Sequence, residues 1–180
     1  MHSAFFSAIL ISGGRNMENL YHRVSIRKYQ EKSVKKEDIM EILRAGMQAP
    51  SAGNQQPWEF YVITDREKIQ ALSKCSPYAG CAAGAPVVIV PVYRRKGLRF
   101  PALAQIDLAI AQENMWIMTD ALGLGGVWLA VTPDQDRMDA VRKVLDLPES
   151  LEAFSLFPIG YPGEKKKQQD RFDESRIHWQ

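Results

Sequence analysis

An α+β fold with a small central sheet is what the sequence predicts. Stretches with helical periodicity recur along the chain, and short apolar runs of strand length stand singly between them. No internal repeat appears, and no linker long enough to divide domains breaks the 180 residues, a length that suits one domain of roughly 100–200 residues. The domain is expected to run from Met17 to Gln180, with residues 1–16 an extension. That extension, "MHSAFFSAILISGG", has an apolar centre, but no Lys or Arg stands ahead of it and it is too short to span a bilayer. "MENLYHRVSIRKY" from Met17 reads as a natural start.

The first clear helix spans Lys35 to Met47. Ile39, Ile42, Leu43, Gly46 and Met47 share one face, Ser33 is the expected N-cap, and Pro50 ends anything helical. "EFYVI" (Glu59–Ile63) is a short strand, after which Asp65 caps a second helix through about Lys74. "PVVIVPVY" (Pro86–Tyr93) is a buried strand whose Pro91 predicts an edge or a bend at its far end. The helix from Leu103 to Leu122 is apolar most of the way round, which implies burial on several sides; in a domain this small, one way to achieve that is a large subunit interface. "GGVWLAV" is the next strand, Pro133 to Leu145 an amphipathic helix, and "AFSLFPIGYP" the last core strand. The charged tail still carries Phe172, Ile177 and Trp179, so it is expected to dock on something rather than hang free.

A net charge of +2 gives no reason to expect nucleic acid or a membrane surface as partner. Cys75 and Cys81 have neither CxxC nor zinc-site spacing, so a reducing, cytoplasmic setting is expected. "GLGG" (Gly123–Gly126) lies after a helix and before a strand, the reverse of a dinucleotide fingerprint, and reads as helix termination. His2, His22 and His178 are scattered without ligand spacing, and neither a GxSxG elbow nor a P-loop is present.

Two segments point to a ligand. Arg23, Ser25 and Arg27 alternate with Val24 and Ile26 in "HRVSIRKY", so two guanidinium groups and a hydroxyl converge as a phosphate or an anionic ring edge requires. A solvated basic segment explains this octet equally well. "AGMQAPSAGNQQPW" (Ala45–Trp58) carries no charged side chain in a chain that is 24% charged, so it is expected to lie against something.

Together with the C-terminus, these pieces resemble the FMN-dependent nitroreductase family. "RVSIRKY" (Arg23–Tyr29) is similar to its N-terminal arginine–serine motif and "APSAGNQQPWEF" (Ala49–Phe60) to its PSxxNxQPW motif. "PIGYPGE" (Pro158–Glu164) with "DRFDESRIHW" (Asp170–Trp179) is similar to its C-terminal signature. The resemblance implies an intertwined homodimer with FMN at the subunit interface, NADH or NADPH as donor, and ping-pong reduction of nitroaromatic, quinone or flavin acceptors. It assigns Arg23, Ser25 and Arg171 to the phosphate, the backbone of Val24 beside them, and Arg27 to the N1/O2 edge of the flavin. Pro50, Ser51, Ala52 and Asn54 would cover the ring from the other subunit, with Trp58 anchoring their loop. Trp128, Leu129 and Val131 would pass the ring near N5 and act mainly through the main chain. No side chain is required as an acid or base, because the cofactor carries the chemistry.

The sequence departs from the family pattern in places. Val24 replaces a basic or histidine residue, and Gln169 stands where a lysine is common. The run Lys165–Lys167 either substitutes for that lysine or is solvated charge, the second reading being favoured. For the flavin pyrimidine edge, "CSPYAGCAAG" offers Ser76 or Tyr78. The alternatives are a specialised relative that cleaves flavin or removes halogen, and a flavin-binding module without turnover.

Overall fold

The computed structural model describes residues 19–180. The extension over residues 1–16, together with the expected start at Met17, lies outside the described residues.

In chain order the helices are α1 (Asn19–His22), α2 (Lys36–Met47), α3 (Arg66–Leu72), α4 (Ala104–Ala121) and α5 (Gln135–Leu145). The strands are β1 (Trp58–Ile63), β2 (Val87–Arg94), β3 (Gly125–Gly126), β4 (Leu129–Ala130), β5 (Leu151–Ala153) and β6 (Ser155–Gly160). They form an antiparallel sheet along the path β1-β2-β6-β3, with β5 pairing β2 and β4 pairing β6. This is the α+β architecture the sequence predicts.

Helices cover both faces of the sheet. Val87 and Ile89 of β2 pack with Ile39 and Ile42 of α2 and Met115 and Trp116 of α4. Val88, Val90 and Val92 pack on the other side with Ile69 and Leu72 of α3 and Val141 of α5. A strand buried on both faces has no polar side to show, which is why β2 reads as an unbroken apolar run.

Pro91 sits in the middle of β2, between β1 and the β5–β6 strand, rather than at an edge. Main-chain groups of the odd-numbered residues here face β5–β6, since Phe154 N–H donates to Pro91 C=O at 3.0 Å. The register shifts by one residue there, from Val92↔Ala153 to Ile89↔Phe157. A bulge at Phe154 therefore falls where Pro91 has no N–H to offer. The predicted bend is present, but on the partner strand.

Asp65 caps α3 by accepting from Lys68 N at 2.9 Å, and Asp134 does the same for α5 with Arg137 N at 3.2 Å. Ser33 is not the cap of α2. That helix begins at Lys36 after Lys35, which makes no side-chain cap bond, so Ser33 lies two residues too early. α4 ends in a Schellman motif: Leu124 N–H donates to Thr119 C=O at 3.0 Å and Gly123 N–H to Asp120 C=O at 2.9 Å, with Gly123 at φ +70°. The expected strand over "GGVWLAV" is two short strands, β3 and β4, interrupted at Val127–Trp128.

Candidate functional site

The N-terminal segment 23–29 adds itself to the edge of the sheet. Ile26 is buried, its N–H donates to Gly126 C=O at 3.0 Å, and Ser25 bridges Gly126 in parallel. The approach requires glycine: a Cβ on Gly125 would lie 2.6 Å from Ile26 Cγ1, and one on Gly126 would lie 2.8 Å from the Phe157 ring. With Ile26 turned into the core, Arg27 is turned out.

The chain returns to this segment at its C-terminal end. Gln30 N–H donates to Tyr161 C=O at 2.9 Å, and Gly163 N–H to Lys28 C=O at 2.8 Å. Tyr29 O–H reaches the carbonyls of Ile26 at 2.8 Å and Pro158 at 3.1 Å. Burial pushes its phenol well above the usual tyrosine range, so it stays a neutral donor.

Between these two segments opens a cleft of about 890 Å³. Arg23, Val24, Ser25 and Arg27 form one wall; Lys166, Lys167, Gln169 and Arg171 form the other. The structure thus brings together five of the residues that the resemblance assigns to the cofactor, Arg23, Val24, Ser25, Arg27 and Arg171, from positions far apart in the chain. Lys166 and Lys167 face the cleft, so two of the three lysines read as solvated charge belong to the candidate site.

The cations differ in what already holds them. Arg23 pairs with Glu113 on α4 at 3.3 Å and stacks on the Trp116 ring, its guanidinium carbon 3.9 Å from the centroid. Trp116 is in turn fixed by donating Nε1–H to Gly126 C=O at 3.1 Å. Lys166 pairs with Glu164 at 3.3 Å, and Arg171 donates to Gln169 Oε1 at 3.2 Å. Among the described residues Arg27, Lys167 and Arg171 form no ion pair with a carboxylate, while Asp170 also lines the cleft. An unsatisfied positive balance of this kind suits a phosphate dianion.

Pro50, Ser51, Ala52 and Asn54 do not line this cleft. Their loop is built at the other end of α4. Asp107, 2% exposed, accepts from Ala52 N at 2.9 Å and from Gln55 Nε2 at 2.7 Å. Ser51 Oγ accepts from Gln56 N at 2.9 Å, and Trp58 is buried beside Ala49, Leu108 and Phe154. Gly53 (φ +56°) and Asn54 (φ +53°) turn the chain through the left-handed region at the exposed tip. At about 1.5 Å rise per residue, Asp107 stands roughly 9 Å along α4 from Glu113 and roughly 20 Å from Asp120, where α1 is held. One chain does not close the loop over the cleft.

The segment 125–131 runs between the two places. Its Gly126 end holds Ile26, and its Trp128 end packs on Phe154, ring centroids 5.5 Å apart, beside the loop's anchor Trp58. Leu129 and Val131 put their side chains into the core on the α3–α5 face. Val131 donates to Phe154 C=O and accepts from Asp134 N–H, so its main chain is already occupied.

Ser76 and Tyr78 do not line the cleft. Ser76 Oγ accepts from Tyr78 N at 3.2 Å, and Tyr78 is exposed beneath Arg137, 5.5 Å from its ring centroid. From that segment it is Cys81 that senses the charges of Arg27, Glu164 and Lys166, with burial pushing its thiol up. Glu164 and Asp107 are the other positions that sequence reasoning missed. Glu164 carries a readable signal only as the end of "PIGYPGE"; a buried Asp in an apolar helix, such as Asp107, is a signal in itself. Among the described residues no helix is long and apolar enough to cross a membrane.

The profile of the nitroreductase family matches residues 20–78 and 73–161. A protein of Archaeoglobus fulgidus named "Putative NADH dehydrogenase/NAD(P)H nitroreductase" is 39% identical over 90% of this chain and 95% of its own length. A namesake from Methanothermobacter thermautotrophicus is 38% identical over 90% of this chain and 85% of its own. Among solved structures, an FMN-dependent nitroreductase of Clostridium difficile R20291 superposes with a TM-score of 0.84 at 29% identity, covering 91% of this chain and 98% of that one. The chain belongs to the nitroreductase family.

Proposed function

We propose that this chain is an FMN-dependent NAD(P)H oxidoreductase that works as a homodimer. The observation that carries the reading is the cleft lined by Ser25, Arg27, Lys167 and Arg171, in which these three cations have no carboxylate partner among the described residues. The relatives' names, an NAD(P)H nitroreductase and an FMN-dependent nitroreductase, support it.

The residues present fit FMN. Ser25, Arg23 and Arg171 would hold the phosphate, with Lys167 as a further cation. Arg27 would lie along the pyrimidine edge, where its charge favours the reduced, more negative ring. Bound there, FMN would supply two-electron chemistry at N5, taking hydride from NADH or NADPH and then reducing a nitroaromatic, quinone or flavin acceptor in a ping-pong cycle. Arg23 is pre-set by Glu113 and Trp116, so little side-chain entropy remains to be lost when the phosphate arrives. Trp128 and the uncharged loop would shield the ring from water.

That loop has to come from a second copy, since its anchor and the cleft lie apart along α4. Leu103 at the start of α4 and Ile106 and Ile110 along it form an exposed apolar stripe, and Met40 and Met47 are exposed on the neighbouring α2. Such a patch marks an association surface. Phe172, Ile177 and Trp179 on the exposed tail would clasp the partner. The two free thiols fit a reducing, cytoplasmic setting.

The test is the visible spectrum of the purified protein, reconstituted with FMN, followed by anaerobic NADPH or NADH. Bleaching of bound flavin by either donor is expected. A protein that takes up no FMN sinks the reading; one that binds FMN and is reduced by neither donor is a binding module.

A further inference from the structure

We propose that Glu164 is a positioning residue for Arg27: its carboxylate fixes the main chain under Arg27 and absorbs the charge of Lys166, leaving the Arg27 guanidinium for the ligand. This rests on the FMN reading above. One oxygen, Oε1, takes all three partners: Arg27 N at 2.6 Å, Lys28 N at 3.3 Å and Lys166 Nζ at 3.3 Å. Hydrogen bonds from main-chain amides to an ionised carboxylate are about twice as strong as neutral ones. They pin the segment directly behind the Arg27 side chain.

The neighbouring contacts make the arrangement specific. Gly163, which precedes Glu164, donates to Lys28 C=O at 2.8 Å, and a Cβ on Gly163 would lie 3.0 Å from Tyr29 C. The two segments of the chain therefore meet backbone to backbone, and Glu164 follows directly between the two walls of the cleft. A carboxylate here could have neutralised Arg27 and weakened the site. Its oxygen is instead directed at two amides and at Lys166, and the Arg27 guanidinium has no carboxylate partner among the described residues.

The experiment compares the full-length wild type with Glu164→Ala and Glu164→Gln. FMN affinity is read by flavin fluorescence quenching, the midpoint potential of bound FMN by anaerobic dye titration, and amide exchange at Arg27 and Lys28 in the FMN-free protein. Loss of a charge-assisted bond gives an expected rise in Kd of about tenfold or more for Glu164→Ala, a more negative potential and faster exchange at both amides. Glu164→Gln keeps an acceptor for the amides but not the charge, and should fall between, with Kd raised about threefold. Wild-type Kd and potential in Glu164→Ala would overturn the proposal, as would equal losses in both variants without a change in exchange. If Glu164→Ala does not fold, Glu164→Gln decides: a raised Kd with a shifted potential supports the role, and wild-type values refute it. Failure of the wild type itself to bind FMN would sink the cofactor reading first, and this role with it.

Discussion

Gly125→Ala should uncouple the N-terminal arginine segment from the sheet. The added Cβ would lie 2.6 Å from Ile26 Cγ1 and 2.7 Å from Ile26 Cβ. A rotamer change moves Cγ1 but not Cβ, whose backbone is held by the 3.0 Å bond from Ile26 N to Gly126 O. The segment has to shift as a unit. Overpacking of this kind costs about 1–3 kcal/mol, and a weakened hydrogen bond adds about 1 kcal/mol. At about 2–4 °C per kcal/mol for a protein this size, the melting temperature should fall by about 5–15 °C. Ser25 and Arg27 move with Ile26, so FMN affinity should drop about tenfold or more, the equivalent of one charge-assisted contact. Gly80→Ala is the control, since its Cβ meets no atom within 4 Å. Thermal melts and fluorescence quenching measure both effects. A Gly125→Ala protein melting within about 1 °C of wild type would refute the account of how this segment is seated.

Three further outcomes are expected. Ile110→Glu puts a charge on the exposed stripe of α4 and should weaken a dimer by about a hundredfold or more, given the several kcal/mol cost of burying an unpaired ion; sedimentation showing an undiminished dimer would place the interface elsewhere. Asp107→Ala leaves Ala52 N–H without its acceptor and removes one of the two acceptors of Gln55 Nε2, the Phe100 carbonyl being the other, which should cost about 1–3 kcal/mol in denaturant melts, with Asp107→Asn recovering part of it. The Arg27 amide holds the Glu164 carboxyl below its ordinary 4.5. A depressed folded value means that the stabilisation is present above the unfolded pKa and is lost as pH falls through the folded one. Amide exchange at Arg27 and Lys28, corrected for intrinsic rates, should therefore accelerate only below about pH 4.5, and the same acid step persisting in Glu164→Gln would assign it to another group.

Much of the fold is legible because the physics behind it is local. Asp65 lies immediately before α3 and Gly123 just past the C-cap of α4, and both do what their positions dictate. The apolar run of β2 declares burial on both faces, and the excess apolar surface of α4 survives in the structure as exposed Ile106 and Ile110, with Leu103 just ahead of the helix. Pro91 shows where local reasoning stops. The proline predicts a broken ladder, but which side breaks depends on Phe154, far away in sequence, and on which way residue 91 aims its main chain. Ser33 fails for a related reason: cap preference ranks residue types, while the position at which α2 can start is set by packing Ile39 and Ile42 under the sheet.

The candidate site divides along the same line. Arg23, Ser25 and Arg27 announce themselves by alternation in one segment, and the family resemblance supplies Arg171. What the sequence hides is how those charges are balanced. Lys166 and Lys167 look like ordinary surface charge until the pairing of Gly163 with Lys28 carries the tail back past the arginine segment. Ser76 is consumed by the turn that exposes Tyr78, and from that segment it is the thiol of Cys81, pushed up by burial, whose titration is influenced by the charge of Arg27. The charge a cleft can offer an anion depends less on how many cations line it than on how each is already partnered. Glu113 holds Arg23 in place and Glu164 takes up Lys166, so that among the described residues the charge without a carboxylate partner stays with Arg27, Lys167 and Arg171.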